Sequence, residues 1–503
     1  MLHGIISHCQ FTNEDFNHEP KPEPRTPLPL APMAQPDDNA SIRDRLSDFK
    51  PFMVSAPGKV IVFGEHAVVH GKAAMAASIS LRSYLHVSPG PHSPDPTVTL
   101  NFPDVALSHT WTISSLPWQA FASTSKTLHT SPLPRTLDSS LVDSLQPILD
   151  PISPTASPST RKIHHSAAST FLYLFLLLLP SPPTSSLTFT LRSTIPIGAG
   201  LGSSASISVC LSTALLHLSS SLTLPPSHST STPPSTSSTP EQTLDRINAL
   251  AFLGESLIHG TPSGVDNTVS TLGKAVIFRR PAPGAAPVIT TLRKFPELPL
   301  LVVDTKQAKS TAVEVGKVRV LRERHPEVVG RVLEGIDAVT GSAGELIAGA
   351  GEGGGEGVGK ETVDMLGELV RLNHGLLVAL GVSHPRLEEL REVVDASGAG
   401  WFKLTGAGGG GCGFVLLKGD VSEVKHKERG GEDVERLRRL EAELDARGFE
   451  RYETILGGDG VGINLFEQGH GLELDTFLAA KGTEGVEALC GGETAGWMYW
   501  RFT

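Results

Sequence analysis

The chain is 503 residues long, enough for two ordinary domains with extensions, and its 39% hydrophobic and 19% charged content fits globular cores diluted by loops. A formal net charge of −11 argues against a nucleic-acid binder, so an anionic ligand would need a local positive pocket. The four cysteines (Cys9, Cys210, Cys412, Cys490) have neither disulfide nor metal spacing, which points to a reducing compartment, and the most apolar run, Phe171 to Leu179, stops at Pro180, too short to insert across a membrane.

Residues 1–50 are polar and proline-rich and read as a disordered extension. Val54 to His70 reads as strand, tight turn, strand, with Pro57-Gly58 as the turn signal and β-branched residues following it. Lys59 enters the second strand there, and Glu65 and His66 follow a glycine at its far end; taken alone, each suits a solvated edge as well as a site. Residues 88–160, rich in Ser, Pro and Thr, read as loops with short helices. Ala167 to Leu179 reads as a buried helix and Leu187 to Leu191 as a strand.

That strand feeds Ile195-Pro-Ile-Gly-Ala-Gly-Leu-Gly-Ser-Ser-Ala-Ser206, in which Gly198, Gly200 and Gly202 alternate before an apolar helix, Ala205 to Leu218. A glycine turn running into a helix N-terminus aims free N–H groups and the positive end of the helix dipole at one spot, which suits a phosphate. The stretch lacks the lysine of a P-loop, and its spacing does not fit a dinucleotide fingerprint. Ser203 and Ser204 can cap that helix or ligate a metal.

A Ser/Thr/Pro low-complexity insertion, 219–238, follows. Thr239-Pro240-Glu241-Gln242 then forms a capping-box signature for a helix with Leu244, Ile247, Ala251, Gly254 and Ile258 on one face. Glu255 borders that stripe, as a snorkelling surface group or as a ligand. His259 to Asn267 reads as an irregular Pro/Gly loop in which Asp266 could simply shape a turn, and Lys274 to Phe278 as a strand.

A second unit opens at 298 with the strand Leu300 to Val303. Helical patterns follow over 311–337 and 361–395, separated by a glycine-rich linker over 349–359. Lys403 to Leu417 reads strand, glycine loop, strand; a helix from Asp433 to Arg447 and a strand near Tyr452–Ile455 complete an α/β pattern. The tail, 465–503, has no informative pattern.

Three stretches in this order resemble the GHMP small-molecule kinases: Ala56-Pro-Gly-Lys59 through Gly64-Glu-His-Ala-Val-Val-His-Gly71, Gly198 to Ala205, and Lys403 to Cys412. Ile258-His-Gly-x-Pro-Ser-Gly-Val-Asp-Asn267 resembles the mevalonate kinases within them. The resemblance spans about 52–464. It implies an α/β (α+β) fold with an N-terminal domain over 51–297, a ferredoxin-like C-terminal domain over 298–464, and the active site in the cleft between them. It implies transfer of the ATP γ-phosphoryl to the 5-hydroxyl of (R)-mevalonate with Mg²⁺, in isoprenoid and sterol precursor synthesis in the cytoplasm. It also implies a homodimer and feedback inhibition by prenyl diphosphates.

By match to the motifs, Gly198, Ala199, Gly200, Leu201, Gly202, Ser203 and Ser204 would bind ATP. Ser204 and Glu255 would ligate Mg²⁺, Asp266 would be the catalytic base with Lys59 as its cationic partner, and Glu65, His66 and Thr311 would lie beside mevalonate. Cys412 reads as structural. Lys309 stands where these kinases often carry arginine; it keeps the charge and loses the bidentate fork. Phosphoryl transfer is mostly positioning and charge neutralisation, and an alcohol needs a carboxylate to take its proton, so these residue types suit that chemistry. Two alternatives remain at this stage: another GHMP kinase, such as one acting on phosphomevalonate, and a catalytically inactive ligand sensor.

Overall fold

The computed structural model describes residues 49–127, 133–134, 136–225, 239–280, 287–350, 359–419, 431–466, 472–491 and 496–500. The N-terminal extension, most of the Ser/Thr/Pro insertion and most of the glycine-rich linker lie outside the described residues.

The strands are β1 (Phe52–Phe63), β2 (Ala73–Pro89), β3 (Thr97–Phe102), β4 (Leu107–Thr112), β5 (Leu187–Ser193), β6 (Ala275–Arg279), β7 (Val288–Leu292), β8 (Leu298–Asp304), β9 (Gly400–Leu404), β10 (Cys412–Leu417), β11 (Glu450–Leu456), β12 (Gly462–Asn464) and β13 (Met498–Tyr499). The continuous path runs β13-β12-β1-β2-β11-β8-β10-β9. The seam is β2. One edge pairs with β1, while the other pairs successively with β6 (Ala73 to Ala77), β11 (at Ile79) and β5 (Ser83 to Pro89). Its first half, Ala73-Ala-Met-Ala-Ala-Ser78, consists mostly of small side chains, which suits a strand buried along most of its length.

Three helices, Pro158–Leu178, Ser203–Leu218 and Pro240–His259, pack with β1, β2 and β5 in one core. The Phe171 ring meets Phe189 at 4.9 Å there. In the second unit β8 sends Leu300 and Val302 into one core, with Val339, Ala343 and Leu366. It sends Leu301 and Val303 into another, with Leu387, Leu390, Leu437 and Leu440. Alternate residues of a strand point to opposite faces, so a strand covered on both sides must be apolar along the covered stretch, as this one is from Leu298 to Val303.

Several expectations need correction. Pro57-Gly58 is no turn: both residues lie inside continuous β1, where pairing with β2 jumps from Pro57–Arg82 to Lys59–Ser78. After β1 comes the short 3₁₀ turn Ala67–His70, not the end of a second strand. Residues 88–160 hold an antiparallel pair, β3 and β4, besides helices. Its outward threonines hide the inward Val98, Leu100 and Phe102 in a Ser/Thr/Pro composition. The expected loop ends early, because a helix begins at Val265 and takes Asp266 into its first turn.

The segment after 464 is structured where described. Helices Leu474–Ala479 and Gly482–Cys490 bury Phe477, Val486 and Cys490 against Met53 and Tyr84, and β13 extends the sheet beyond β12. Arg192 ties this segment down, donating from Nη1 to the carbonyls of Phe477 (3.2 Å) and Ala480 (3.1 Å) while Nε holds Asp104 (2.7 Å). Among the described residues no helix is long and apolar enough to cross a membrane. Cys210, Cys412 and Cys490 are unpaired and buried.

Burial keeps three imidazoles neutral. His86, His217 and His374 are each pushed down to about 4, chiefly by removal from water; His86 lies against the rings of Phe466 and Phe477. A histidine depressed in the fold costs stability below its unfolded pKa, because the unfolded chain takes up a proton that the folded chain refuses. The denaturation midpoint should therefore fall as pH drops from about 6.5 towards 4, and His86→Gln should flatten part of that slope. A midpoint constant over that interval would contradict the account.

Candidate active site

The site grows from the irregularity in β1. Around it Ser206 Oγ donates to the Ala56 carbonyl (2.6 Å), Ser270 Oγ donates to that of Pro57 (2.7 Å), and the Lys59 amide donates to that of Leu201 (2.8 Å). One stretch of strand thus fixes the glycine loop and two helices, Ser203–Leu218 and Val265–Leu272. Gly58 has no room for a side chain, since a Cβ would come within 2.8 Å of the Leu201 carbonyl oxygen. Gly198, Gly200 and Gly202 all have φ between 76° and 80°, a region costly for L side chains. Gly202 is the N-cap of the helix beginning at Ser203, and no side chain caps it. Its first-turn N–H groups therefore remain available to an anion.

Lys59 reaches across this junction. Its ammonium lies 3.2 Å from Asp266 Oδ2 and donates to the Gly200 carbonyl at 3.0 Å. The lysine side chain is 8% exposed and that of Asp266 34%, so the pair sits at the wall with the carboxylate turned towards the opening. Asp266 is held by what surrounds it. Gly264 starts its helix in the left-handed region, Thr268 Oγ1 donates to the Gly264 carbonyl (2.6 Å), and Asn267 Nδ2 donates to Asn248 Oδ1 (2.6 Å).

Glu255 comes from the helix Pro240–His259. The expected capping box is complete there, with Gln242 N–H donating to Thr239 Oγ1 and the Thr239 amide to Gln242 Oε1. Gly254 lets this helix approach its neighbours: a Cβ would lie 2.8 Å from Ser208 Oγ. Glu255 is only 3% exposed, which rules out the surface-group reading, and its Oε1 has no hydrogen-bond partner. Burial raises its pKa to about 7; the nearby Asp266 adds to the rise, while the Ser204 hydroxyl and Lys59 oppose it. Ser204 Oγ also lies 3.1 Å from His259 Nε2.

A buried carboxylate with a spare oxygen beside a hydroxyl is a hard-oxygen set that fits a divalent cation. No cluster of three or more acidic, His or Cys ligands occurs among the described residues. Mg²⁺ keeps waters and takes phosphate oxygens, so one carboxylate and one hydroxyl suffice.

The opposite wall comes from the second unit and the end of β1. Glu65 is 1% exposed and forms an ion pair with the fully buried Lys403. His66, at a positive φ of 60°, has Nε2 2.8 Å from the Ala407 carbonyl oxygen; burial pushes its pKa down. Thr311 opens the helix Thr311–Arg324. The Lys309 ammonium lies 3.5 Å from the Thr405 carbonyl, and burial lowers its pKa.

Lys59, Glu65, His66, Asp266, Thr311, Lys309 and the loop residues Gly198, Gly200, Leu201, Gly202, Ser203 and Ser204 all line one cleft of about 950 Å³. Ala199 is buried and does not line it, nor does Glu255. Cys412 is buried, its thiol pushed up to about 12, which suits a structural role. The motifs contain Lys403 and His259 but give neither a role; the tertiary contacts supply their partners, Glu65 and Ser204.

Comparison with known proteins accords with this geometry. Residues 167–274 match the GHMP kinases N terminal domain, and residues 356–431 match the GHMP kinases C terminal family. The chain is 50% identical to a mevalonate kinase of Gibberella zeae over 90% of its own length and 88% of that protein. It is 51% identical to one of Aspergillus fumigatus, over 90% of this chain and 82% of that protein. Among solved structures, the Methanococcus jannaschii mevalonate kinase superposes with a TM-score of 0.55 at 22% identity, over 81% of this chain and 98% of the other. The L. major mevalonate kinase in complex with R-mevalonate gives 0.53 at 22% identity, over 81% of this chain and 96% of the other. With its glycine loop and its Lys59–Asp266 pair in one cleft, the chain belongs to the mevalonate kinases of the GHMP kinase family.

Proposed function

We propose that this chain transfers the γ-phosphoryl of ATP to the 5-hydroxyl of (R)-mevalonate, using Mg²⁺. The observation that carries the reading is the 3.2 Å Lys59–Asp266 pair beside the glycine loop. Asp266 accepts the hydroxyl proton through its half-buried carboxylate, and Lys59 supplies positive charge where the alkoxide develops. The N–H groups from Gly198 to Ser204 receive phosphate oxygens. Glu255 and Ser204 would hold Mg²⁺, which when bound neutralises phosphate charge. Glu65, His66 and Thr311 orient mevalonate, and Lys309 faces its carboxylate as a point charge. The intact set Lys59, Ser204, Glu255 and Asp266 speaks against an inactive ligand sensor.

The cleft continues past the glycine loop into an apolar wall that includes Ile163, Leu191 and Ile207. That wall supports the further proposal that prenyl diphosphates bind here as feedback inhibitors. The homodimer, the cytoplasmic location and a place in sterol precursor synthesis rest on the family resemblance.

ADP release should be fast with mevalonate and negligible with phosphomevalonate, galactose or homoserine. Equal or better turnover of any of the other three would overturn the substrate assignment. Glu255→Gln should weaken the dependence on Mg²⁺, raising the half-saturating concentration and lowering kcat, with the melting temperature unchanged or higher because an uncompensated buried acid is removed. An unaltered Mg²⁺ titration would take Glu255 out of the metal site.

A further inference from the structure

The two lobes meet at the site through three polar contacts between the first and third motifs. Thr405 Oγ1 donates to the Ile61 carbonyl (3.0 Å), His66 Nε2 lies 2.8 Å from the Ala407 oxygen, and the Lys403 ammonium pairs with Glu65 Oε1. Only the third engages a carboxylate that lines the cleft. Lys403 is fully buried, also donates to the Leu404 carbonyl (2.9 Å), and lies 5.5 Å from the centre of the Phe414 ring. Burial raises the Glu65 pKa, and the Lys403 ammonium, with the amides of Glu65 and Gly406 behind it, opposes that rise; Oε2 has no hydrogen-bond partner.

Burying such a pair costs desolvation of both ions, and a hydrophobic pair of similar volume would serve the fold equally well. Stability alone therefore gives little reason for a buried lysine at the start of the third motif. The arrangement does serve recognition. It fixes a cleft-lining carboxylate through Oε1 and leaves Oε2 unpartnered, and the ammonium opposes the neutralisation that burial favours, which matters because a charged acceptor binds a hydroxyl more strongly than a neutral one.

We infer that Lys403 is a positioning residue for the alcohol substrate. By fixing Glu65 across the lobe boundary with one oxygen free, it sets the affinity for mevalonate and leaves that for ATP alone. This rests on the reading of Glu65 as a mevalonate contact. Without the ammonium, a buried carboxylate neutralises or turns away, and the charge-assisted hydrogen bond is lost.

The test is a cycle of Glu65→Gln, Lys403→Met and the double variant, with KM and calorimetric dissociation constants for mevalonate and for ATP, and melting temperatures. Lys403→Met should raise both mevalonate constants by about tenfold, roughly one charge-assisted hydrogen bond, with the ATP constants within about twofold. The double variant should regain melting temperature, because no lone charge remains buried, while its mevalonate constants stay at those of Glu65→Gln. That non-additivity distinguishes positioning from mere stabilisation, and it can be read from the double variant even if Lys403→Met does not fold.

Multiplied effects on mevalonate binding in the double variant would overturn the inference. So would weakened mevalonate binding in Glu65→Gln beside unchanged binding in Lys403→Met, or a parallel loss of ATP and mevalonate affinity in Lys403→Met. Unchanged mevalonate binding in Glu65→Gln would instead remove the reading of Glu65 on which the inference stands.

Discussion

The structure depends on how one buried ammonium is satisfied. Lys59 is 8% exposed on its side chain, and a lysine so placed is tolerable only with partners. It finds them in two other elements, the Gly200 carbonyl and Asp266, while its own amide binds the Leu201 carbonyl. Strand, glycine loop and aspartate helix are therefore positioned by one residue. The serines that flank it, Ser206 and Ser270, bind the carbonyls of Ala56 and Pro57 and lock the two helices to the same place. Breaking one partner would leave a buried charge or an unpaired carbonyl, so the elements resist moving separately. The rigidity that stabilises the fold is also what phosphoryl transfer needs, because its catalysis is largely a matter of placing charges.

The electrostatics distinguish two carboxylates, Glu65 lining the cleft and Glu255 buried beside Ser204. Around Glu255 a negative charge is held in a poor environment: burial raises its pKa to about 7, and Oε1 is unpartnered. A bound cation would relieve that cost. Around Glu65 burial also raises the pKa, but there Lys403 already supplies a counter-charge that opposes the rise. Two buried carboxylates in one site thus differ in task, and the difference is legible only from what each touches. The seam strand β2 makes this arrangement possible by pairing with β1 of the first unit and β11 of the second, bringing the lobes together along one continuous path.

Much of this was legible in the chain. The capping box at Thr239 placed a helix start to the residue, because its hydrogen bonds are local. Alternating glycines before an apolar run marked the loop, and the continuous apolar run from Leu300 to Val303 marked a strand, which the structure covers on both faces. What escaped depended on tertiary context. Pro57-Gly58 carries a turn signal, yet the chain continues through it, because neighbouring elements take up the carbonyls that a turn would leave to water. The β3–β4 pair was hidden by threonines on its open face. The segment after 464 shows no periodicity, since it is held by contacts such as Arg192 with the Phe477 carbonyl. Glu255 at the edge of a helical stripe could not be told from a surface group until the packing at Gly254 closed over it. Lys403 was visible as a letter in a motif, but its partner lies 338 residues away.

The central claim is that Asp266, seated by Lys59, takes the alcohol proton. The most direct measurement is the single-turnover rate of phosphoryl transfer in Asp266→Asn, alongside calorimetric binding of ATP and mevalonate to the same protein. General-base catalysis contributes about 10² to 10⁴ in rate, so transfer should slow by at least the lower figure while both ligands bind within a few-fold of wild type. Lys59→Met should slow it less, and the double variant should be no slower than Asp266→Asn, because residues acting as a unit do not add. Transfer at near wild-type rate in Asp266→Asn would contradict the assignment of the base, and collapse of ligand binding in that variant would make the role of Asp266 structural.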